Sequence, residues 1–134
     1  QLSWPSGKKI FGNFKKGLIN GQGEMNHDDG RKYIGNFQNG KKHGKGTFSW
    51  PDGRLYMGEF VKDIFQGEGT YIWSNKDRYQ GNFVKGMPQG RGTYIHADGI
   101  KFEGIFRDGL PWRGQEFDQE GREIQRYSFG KPVD

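Results

Sequence analysis

Residues 33–55 read YIGNFQNGKKHGKGTFSWPDGRL, and this order of residue types recurs along the chain every 23 residues. Tyr33, Tyr56 and Tyr79 open three successive copies, each 23 positions after the one before. A glycine stands two places after each tyrosine, and a phenylalanine follows two places later. The second half of each copy carries two glycines one residue apart, then a large apolar residue, Trp or His, and a polar turn. Similarity at a fixed period is the sequence mark of a repeat architecture.

Alternation with a period of two residues inside each half predicts a β-strand, because successive side chains of a strand point to opposite faces. The aromatic, glycine and phenylalanine positions of the first half therefore share one face. Asn39-Gly40 within the repeat and Asp52-Gly53 at its end are hairpin signals. Asp63 replaces the turn glycine in the third unit, and Asp tolerates left-handed backbone better than most residues. Each repeat is therefore predicted to be an antiparallel two-stranded hairpin.

The predicted fold is all-β, an elongated single-layer antiparallel β-meander of tandem 23-residue hairpin repeats. Aromatic rings are expected to lie over the glycines of neighbouring strands, which gives a thin, local core. Residues 2–9 match residues 48–55, so the chain is expected to start in mid-repeat and its parent protein to continue upstream. The predicted single domain, 1–134, consists of a partial repeat 1–9, repeats 10–32, 33–55, 56–78 and 79–101, a degenerate capping repeat 102–124 and a tail 125–134.

The composition agrees with a β-repeat protein. The 134 residues include 24 glycines, and 16% of the chain is aromatic, which disfavours both a helical bundle and ordinary disorder. There is no cysteine, which excludes disulfides and Cys-ligated zinc. No apolar run approaches the roughly 20 residues of a membrane span.

This set of motifs resembles the MORN family, the membrane occupation and recognition nexus repeats. The family's unit reads Tyr-x-Gly-x-Phe, a Gly turn, Gly-x-Gly-x-aromatic and an Asp-Gly turn, and the resemblance covers residues 2–118. It implies an elongated antiparallel β-meander with a shallow groove. It also implies a mostly non-catalytic scaffold that dimerises end to end, binds extended or helical partner segments in the groove, or touches phospholipid head groups. Some members precede a catalytic domain, so a regulatory segment of a larger enzyme is a further alternative.

The sequence predicts no catalytic residue, no metal site and no cofactor. The Gly-x-Gly runs lack the third glycine and the helix of a dinucleotide site. The acidic turns lack the alternating oxygen ligands of a calcium loop. His27 and His96 are three repeats apart, about 30 Å at ordinary strand spacing, so they cannot share a metal ion within one chain. No nucleic-acid module is recognisable, and no nucleic-acid partner is expected.

The aromatic positions predict a partner-binding groove, because a ring with one edge in water is a frequent interface anchor. The favoured function is a non-enzymatic scaffold that binds a partner helix or extended peptide through apolar anchors. Partner Arg or Lys side chains would add cation–π contacts with Trp50 or Trp73. Simple packing is the alternative, above all for the Tyr33 column. The candidate groove residues are Tyr33, Trp50, Tyr56, Tyr71, Trp73, Tyr79, Tyr94 and His96.

Charge is uneven along the chain, whose formal charge is +5. Residues 1–50 hold nine basic and three acidic side chains. The alternative function is therefore a peripheral phosphoinositide- or membrane-binding module that uses the basic N-terminal repeats. A solvated surface is the plain explanation of the same charges. The candidate edge for anionic lipid or an acidic partner consists of Lys15, Lys16, Lys41 and Lys42.

Two further expectations concern assembly and location. A homodimer by terminal-strand pairing is expected as an alternative partner, because the outer strands of an open sheet present unpaired backbone groups. The expected location is cytoplasmic, at a membrane or the cytoskeleton.

Overall fold

The computed structural model describes residues 1–133, which form one open antiparallel sheet of thirteen strands in chain order. Each strand pairs with its neighbours in the sequence, so the sheet is a meander without a crossover. The predicted all-β, single-layer meander is confirmed. The strands are β1 Leu2–Ser3, β2 Lys9–Lys15, β3 Leu18–Asn26, β4 Lys32–Gln38, β5 Lys41–Ser49, β6 Leu55–Val61, β7 Ile64–Ile72, β8 Arg78–Val84, β9 Met87–Ile95, β10 Lys101–Arg107, β11 Leu110–Phe117, β12 Glu123–Ser128 and β13 Lys131–Val133.

Tight two-residue turns join the strands within each repeat. Asn39 and Gly40 both have positive φ, 50° and 84°, as a type I′ hairpin turn requires. The Gly40 amide donates a hydrogen bond of 3.0 Å to the carbonyl of Ile19 in the preceding repeat, and Gly86 does the same to Phe65. Successive turns therefore stack along one side of the sheet. This tight-turn edge consists of the turns at 16–17, 39–40, 62–63, 85–86, 108–109 and 129–130.

The core lies on one face of the sheet, here called the aromatic face; the opposite side is the outer face. Tyr33, Tyr56 and Tyr79 are fully buried there, each over glycines of its own and the next strand. The Tyr56 ring meets Phe60 of its own repeat and Phe83 of the next, at 5.1 and 5.2 Å between ring centroids. Each repeat is thus held mainly by its neighbours, as in other repeat proteins.

The C-terminal end departs from the predicted repeat boundaries. Gly104 pairs with Gly114, one position earlier than the 23-residue period would place its partner, so β11 is one residue shorter than the equivalent strands. The predicted boundary between a capping repeat 102–124 and a tail 125–134 falls inside β12. Instead of a separate tail, β12 and β13 add a last hairpin, which continues the meander through residue 133.

The outermost strands of the described chain are short. β1 has two residues and β13 has three, and short edge strands limit pairing with other chains. The homodimer by terminal-strand pairing stays a prediction.

Candidate functional site

A continuous row of rings runs along the aromatic face, above the buried core. Trp50 contacts Tyr71 at 5.9 Å between ring centroids, and Tyr71 contacts Trp73 at 4.7 Å. Trp73 contacts Tyr94 at 5.2 Å, and Tyr94 contacts His96 at 4.9 Å. The rings meet because the same position of successive repeats falls on the same face, one hairpin apart. This aromatic row consists of Phe48, Trp50, Tyr71, Trp73, Tyr94 and His96.

The structure divides the eight predicted groove residues into two layers. Trp50, Tyr71, Trp73 and Tyr94 are half-buried and His96 is exposed, so these five present surface to a partner. The other three, the tyrosines at 33, 56 and 79, have 0% exposure. The prediction that these tyrosines line the groove is corrected, because they lie beneath it and support the row from below.

Asp77 fixes the ring of Tyr94 in the row. The Tyr94 hydroxyl donates a 2.6 Å hydrogen bond to Asp77 Oδ2, and the Ala97 amide donates to Oδ1 at 2.9 Å. His96 Nδ1 lies 3.6 Å from Asp77 Oδ2. The hydrogen bond from Tyr94 lowers the pKa of Asp77, while burial and then this bond raise the pKa of Tyr94. Sequence reasoning missed Asp77; the available signal was an acidic residue one period after Arg54.

Arg54 covers the other end of the row. Its guanidinium lies 4.8 Å from the Trp50 ring centroid, and its Nε lies 2.8 Å from Asp52 Oδ2. The cation–π position on Trp50, which was predicted for a partner side chain, is therefore occupied by a residue of the chain itself.

Lys42 does not belong to the predicted basic edge. Its Nζ lies 5.5 Å from the Phe48 ring centroid and 3.3 Å from Asp63 Oδ1, and its side chain is only 14% exposed. It points to the aromatic face, whereas its neighbour Lys41 is exposed on the outer face. The prediction that Lys41 and Lys42 share one basic edge is therefore wrong, because alternation along β5 places adjacent side chains on opposite faces. Lys15, Lys16 and Lys41 stay exposed at the tight-turn edge.

The row ends in an open groove of about 360 Å³ near the C-terminus. Phe102 and Tyr127 meet there at 5.5 Å between ring centroids. Among residues 1–133, Glu116 is the one Asp or Glu that lines this groove, and no Lys or Arg of that range lines it. The C-terminal groove is lined by Trp73, Tyr94, His96, Phe102, Gly109, Leu110, Pro111, Glu116 and Tyr127.

Metal-binding clusters and membrane-spanning helices are both absent from the part of the chain that the structure describes. Within residues 1–133, no three His, Asp or Glu side chains come together in a way that could hold a metal ion. Over the same range, no helix is long and apolar enough to cross a membrane.

Comparison with known proteins places the chain in a family. The model of the MORN repeat matches four times, at residues 11–30, 33–53, 56–78 and 79–101, which together are more than half of the chain. A comparison with curated proteins gives no match. MORN repeats are known as scaffolds for protein or membrane interaction, and the family is generally non-enzymatic. The chain belongs to the MORN repeat family.

Proposed function

We propose that this chain is a non-enzymatic scaffold module that binds a helix or an extended peptide of a partner protein along the aromatic row. The observation that carries this proposal is the unbroken contact of half-buried rings from Trp50 to Tyr94, which ends at the exposed ring of His96. Its proposed place of action is the cytoplasm, at a membrane or the cytoskeleton.

The rings of the row are held before a partner arrives. Trp73 touches a ring on each side, and Tyr94 is fixed by its hydrogen bond to Asp77. Aromatic side chains have few rotatable bonds, so fixing them in advance lowers the entropy cost of binding. Apolar anchors of a partner segment would bury the free edges of these rings, in the manner of a helix in a groove.

Substitution of Trp73 tests this proposal. Peptides selected from a random library on the wild-type protein should bind the Trp73→Ala variant at least tenfold more weakly, because central aromatic anchors contribute about 2 kcal/mol or more. Trp4→Ala is the matched control, since Trp4 is 39% exposed and lies outside the row. Equal affinity for both variants, with the circular dichroism spectrum unchanged, would argue against the groove.

A second candidate function is peripheral binding to anionic membranes, and the tight-turn edge favours it. Large apolar side chains stand exposed there at one repeating position: Leu18, Ile64, Met87 and Leu110 are 47%, 48%, 46% and 68% exposed. Lysines lie beside them in the turns at 16, 62 and 85. Apolar and cationic side chains on one edge suit the head-group region of an anionic membrane.

Co-sedimentation with vesicles tests the membrane candidate. The wild-type protein should pellet with phosphoinositide-containing vesicles at physiological salt and not with neutral ones. Charge reversal at Lys15, Lys16 and Lys41 should abolish pelleting, whereas Lys76→Glu, at the opposite side of the sheet, should leave it unchanged. Pelleting only at low salt, or equal loss in both variants, would contradict a specific basic edge.

A further inference from the structure

A one-residue shortening of β11 changes which side chain faces the groove. In the preceding repeats, Tyr71 pairs with Tyr56 and Tyr94 pairs with Tyr79, and the rings of Tyr71 and Tyr94 join the aromatic row. Counting by 23 from Tyr94 leads to Phe117, but Phe117 pairs with Lys101 and lies on the outer face. Glu116 takes the place opposite Phe102. A carboxylate therefore stands where the repeat pattern would put a ring.

Glu116 has no basic partner among the residues that the structure describes, and it makes no ion pair with any of them. The three basic residues of the same hairpin are engaged elsewhere. Lys101 pairs with Glu103 at 2.9 Å, the Arg107 guanidinium lies 4.6 Å from the Trp112 ring centroid, and the Arg113 guanidinium lies 5.2 Å from the Phe129 ring centroid. The C-terminal groove thus combines a carboxylate with aromatic walls in a protein whose formal charge is +5.

At the opposite end of the aromatic row, the ring faces already carry cations of the chain, each paired with a carboxylate. Arg54 lies on Trp50 and Lys42 lies by Phe48, so cationic groups of the chain already occupy that end. At the C-terminal end the charged neighbours of the rings are Asp77, bonded to Tyr94, and Glu116. A cationic side chain of a bound segment therefore finds the ring faces occupied at one end and an attracting carboxylate at the other.

We infer that the C-terminal groove takes an arginine side chain of the partner segment, with its guanidinium directed to Glu116 and its flat surface against the aromatic walls. The inference rests on the proposed function and names one anchor of that partner. Arginine suits the groove better than lysine, because its planar guanidinium stacks on rings and pairs with a carboxylate through two parallel hydrogen bonds. The anchor also fixes the direction of the segment, since its cationic end must lie at Glu116.

Small amides that differ only in charge test the anchor without an identified partner. N-acetyl-arginine amide should shift the indole NMR signal of Trp73, and N-acetyl-citrulline amide, its neutral isostere, should bind at least fivefold more weakly. Glu116→Gln keeps the shape of the side chain and should weaken binding of the arginine compound about fivefold, because the ion pair is lost. Glu103→Gln, on the outer face of the same hairpin, is the matched control and should change nothing.

Equal binding of the arginine and citrulline compounds, or equal effects of Glu116→Gln and Glu103→Gln, would overturn the inference. Binding of N-acetyl-lysine amide as tight as that of the arginine compound would overturn the choice of arginine.

If Glu116→Gln does not fold, Glu116→Asp shortens the reach of the same charge and should also weaken binding. Library peptides that need Trp73 but not Glu116 would leave the proposed function standing and remove the anchor. If the arginine compound binds at Glu116 but no library peptide needs Trp73, the anchor stands and the proposed function fails.

Discussion

The ring of Tyr56 occupies the space that a side chain at position 69 would need. A Cβ placed on Gly69 would lie 2.5 Å from the Tyr56 hydroxyl oxygen and 2.7 Å from the nearest ring carbons. The hydroxyl donates a 2.7 Å hydrogen bond to the carbonyl of Glu59, so the buried ring carries no unsatisfied polar atom. Through this contact a single-layer sheet buries large rings against its own backbone, without a second layer.

Gly69→Ala should therefore destabilise the protein by about 3 kcal/mol, because the added methyl group displaces a packed ring. Urea unfolding measures the loss. Gln80→Ala, an exposed change on the outer face of the adjacent strand, is the control and should stay within about 0.5 kcal/mol of the wild type. A tolerated alanine at 69 would show that Tyr56 has room to move.

Asp63 is the turn residue that replaces a glycine. It has a φ of 73°, and its carboxylate accepts a 2.8 Å hydrogen bond from the Lys42 amide of the preceding repeat. Asp63→Ala keeps the backbone strain and loses this bond, so the free energy of unfolding should fall by about 1–2 kcal/mol. Asp63→Gly also loses the bond but relieves the backbone strain. Its free energy of unfolding should therefore fall by less than half as much. Thermal unfolding of the two variants side by side checks this order; the reverse order would contradict it.

The buried tyrosines predict loss of stability at high pH. Burial raises the pKa of Tyr33 and of Tyr79 to about 12, from 10.0 in the unfolded chain. The fold favours the neutral phenol, so this contribution is complete below pH 10 and is lost as the pH rises from 10 through about 12. The free energy of unfolding, measured by urea titration across that range, should fall steadily. Tyrosinate absorbance that appears fully at pH 10 in the folded protein would contradict the burial.

The hydrogen bond between Tyr94 and Asp77 predicts that the stability of the fold also decreases in acid. The folded-state pKa of Asp77 lies below its unfolded value of 3.8, so its contribution is present above pH 3.8 and is lost as the pH falls through the folded-state pKa. At pH 7, Asp77→Asn should cost about 1–2 kcal/mol. In a double-mutant cycle with Tyr94→Phe the two losses of stability should not add, because both substitutions remove the same hydrogen bond. Additive losses would mean that the bond contributes nothing.

Much of the fold follows from the sequence, because turn chemistry and period-two alternation are local. Asn39-Gly40 and Asp52-Gly53 predict hairpins without knowledge of the rest of the chain, and the meander follows when they recur. Depth is different. Tyr56 and Tyr71 are both aromatic and share a face, yet Tyr56 is fully buried and Tyr71 is not, since burial depends on the glycines of neighbouring strands.

Register explains the rest of what sequence reasoning missed. Lys41 and Lys42 are adjacent in the sequence and lie on opposite faces, so a count of basic residues placed both on one edge. The place of Glu116 on the aromatic face follows only from the pairing of Gly104 with Gly114. In the sequence, a one-residue shortening of β11 looks like decay of the repeat. Long-range pairing, which no local pattern contains, decides which side chain reaches the groove.

The four tryptophan indole signals give the most direct test of binding along the aromatic row. The protein is titrated with a peptide selected from a random library on the wild type, and the indole NMR signals are followed. Binding along the row should shift the Trp50 and Trp73 signals together and leave that of Trp4, outside the row, in place. A peptide that moves Trp4 and leaves Trp50 and Trp73 unmoved would contradict the groove as the binding surface.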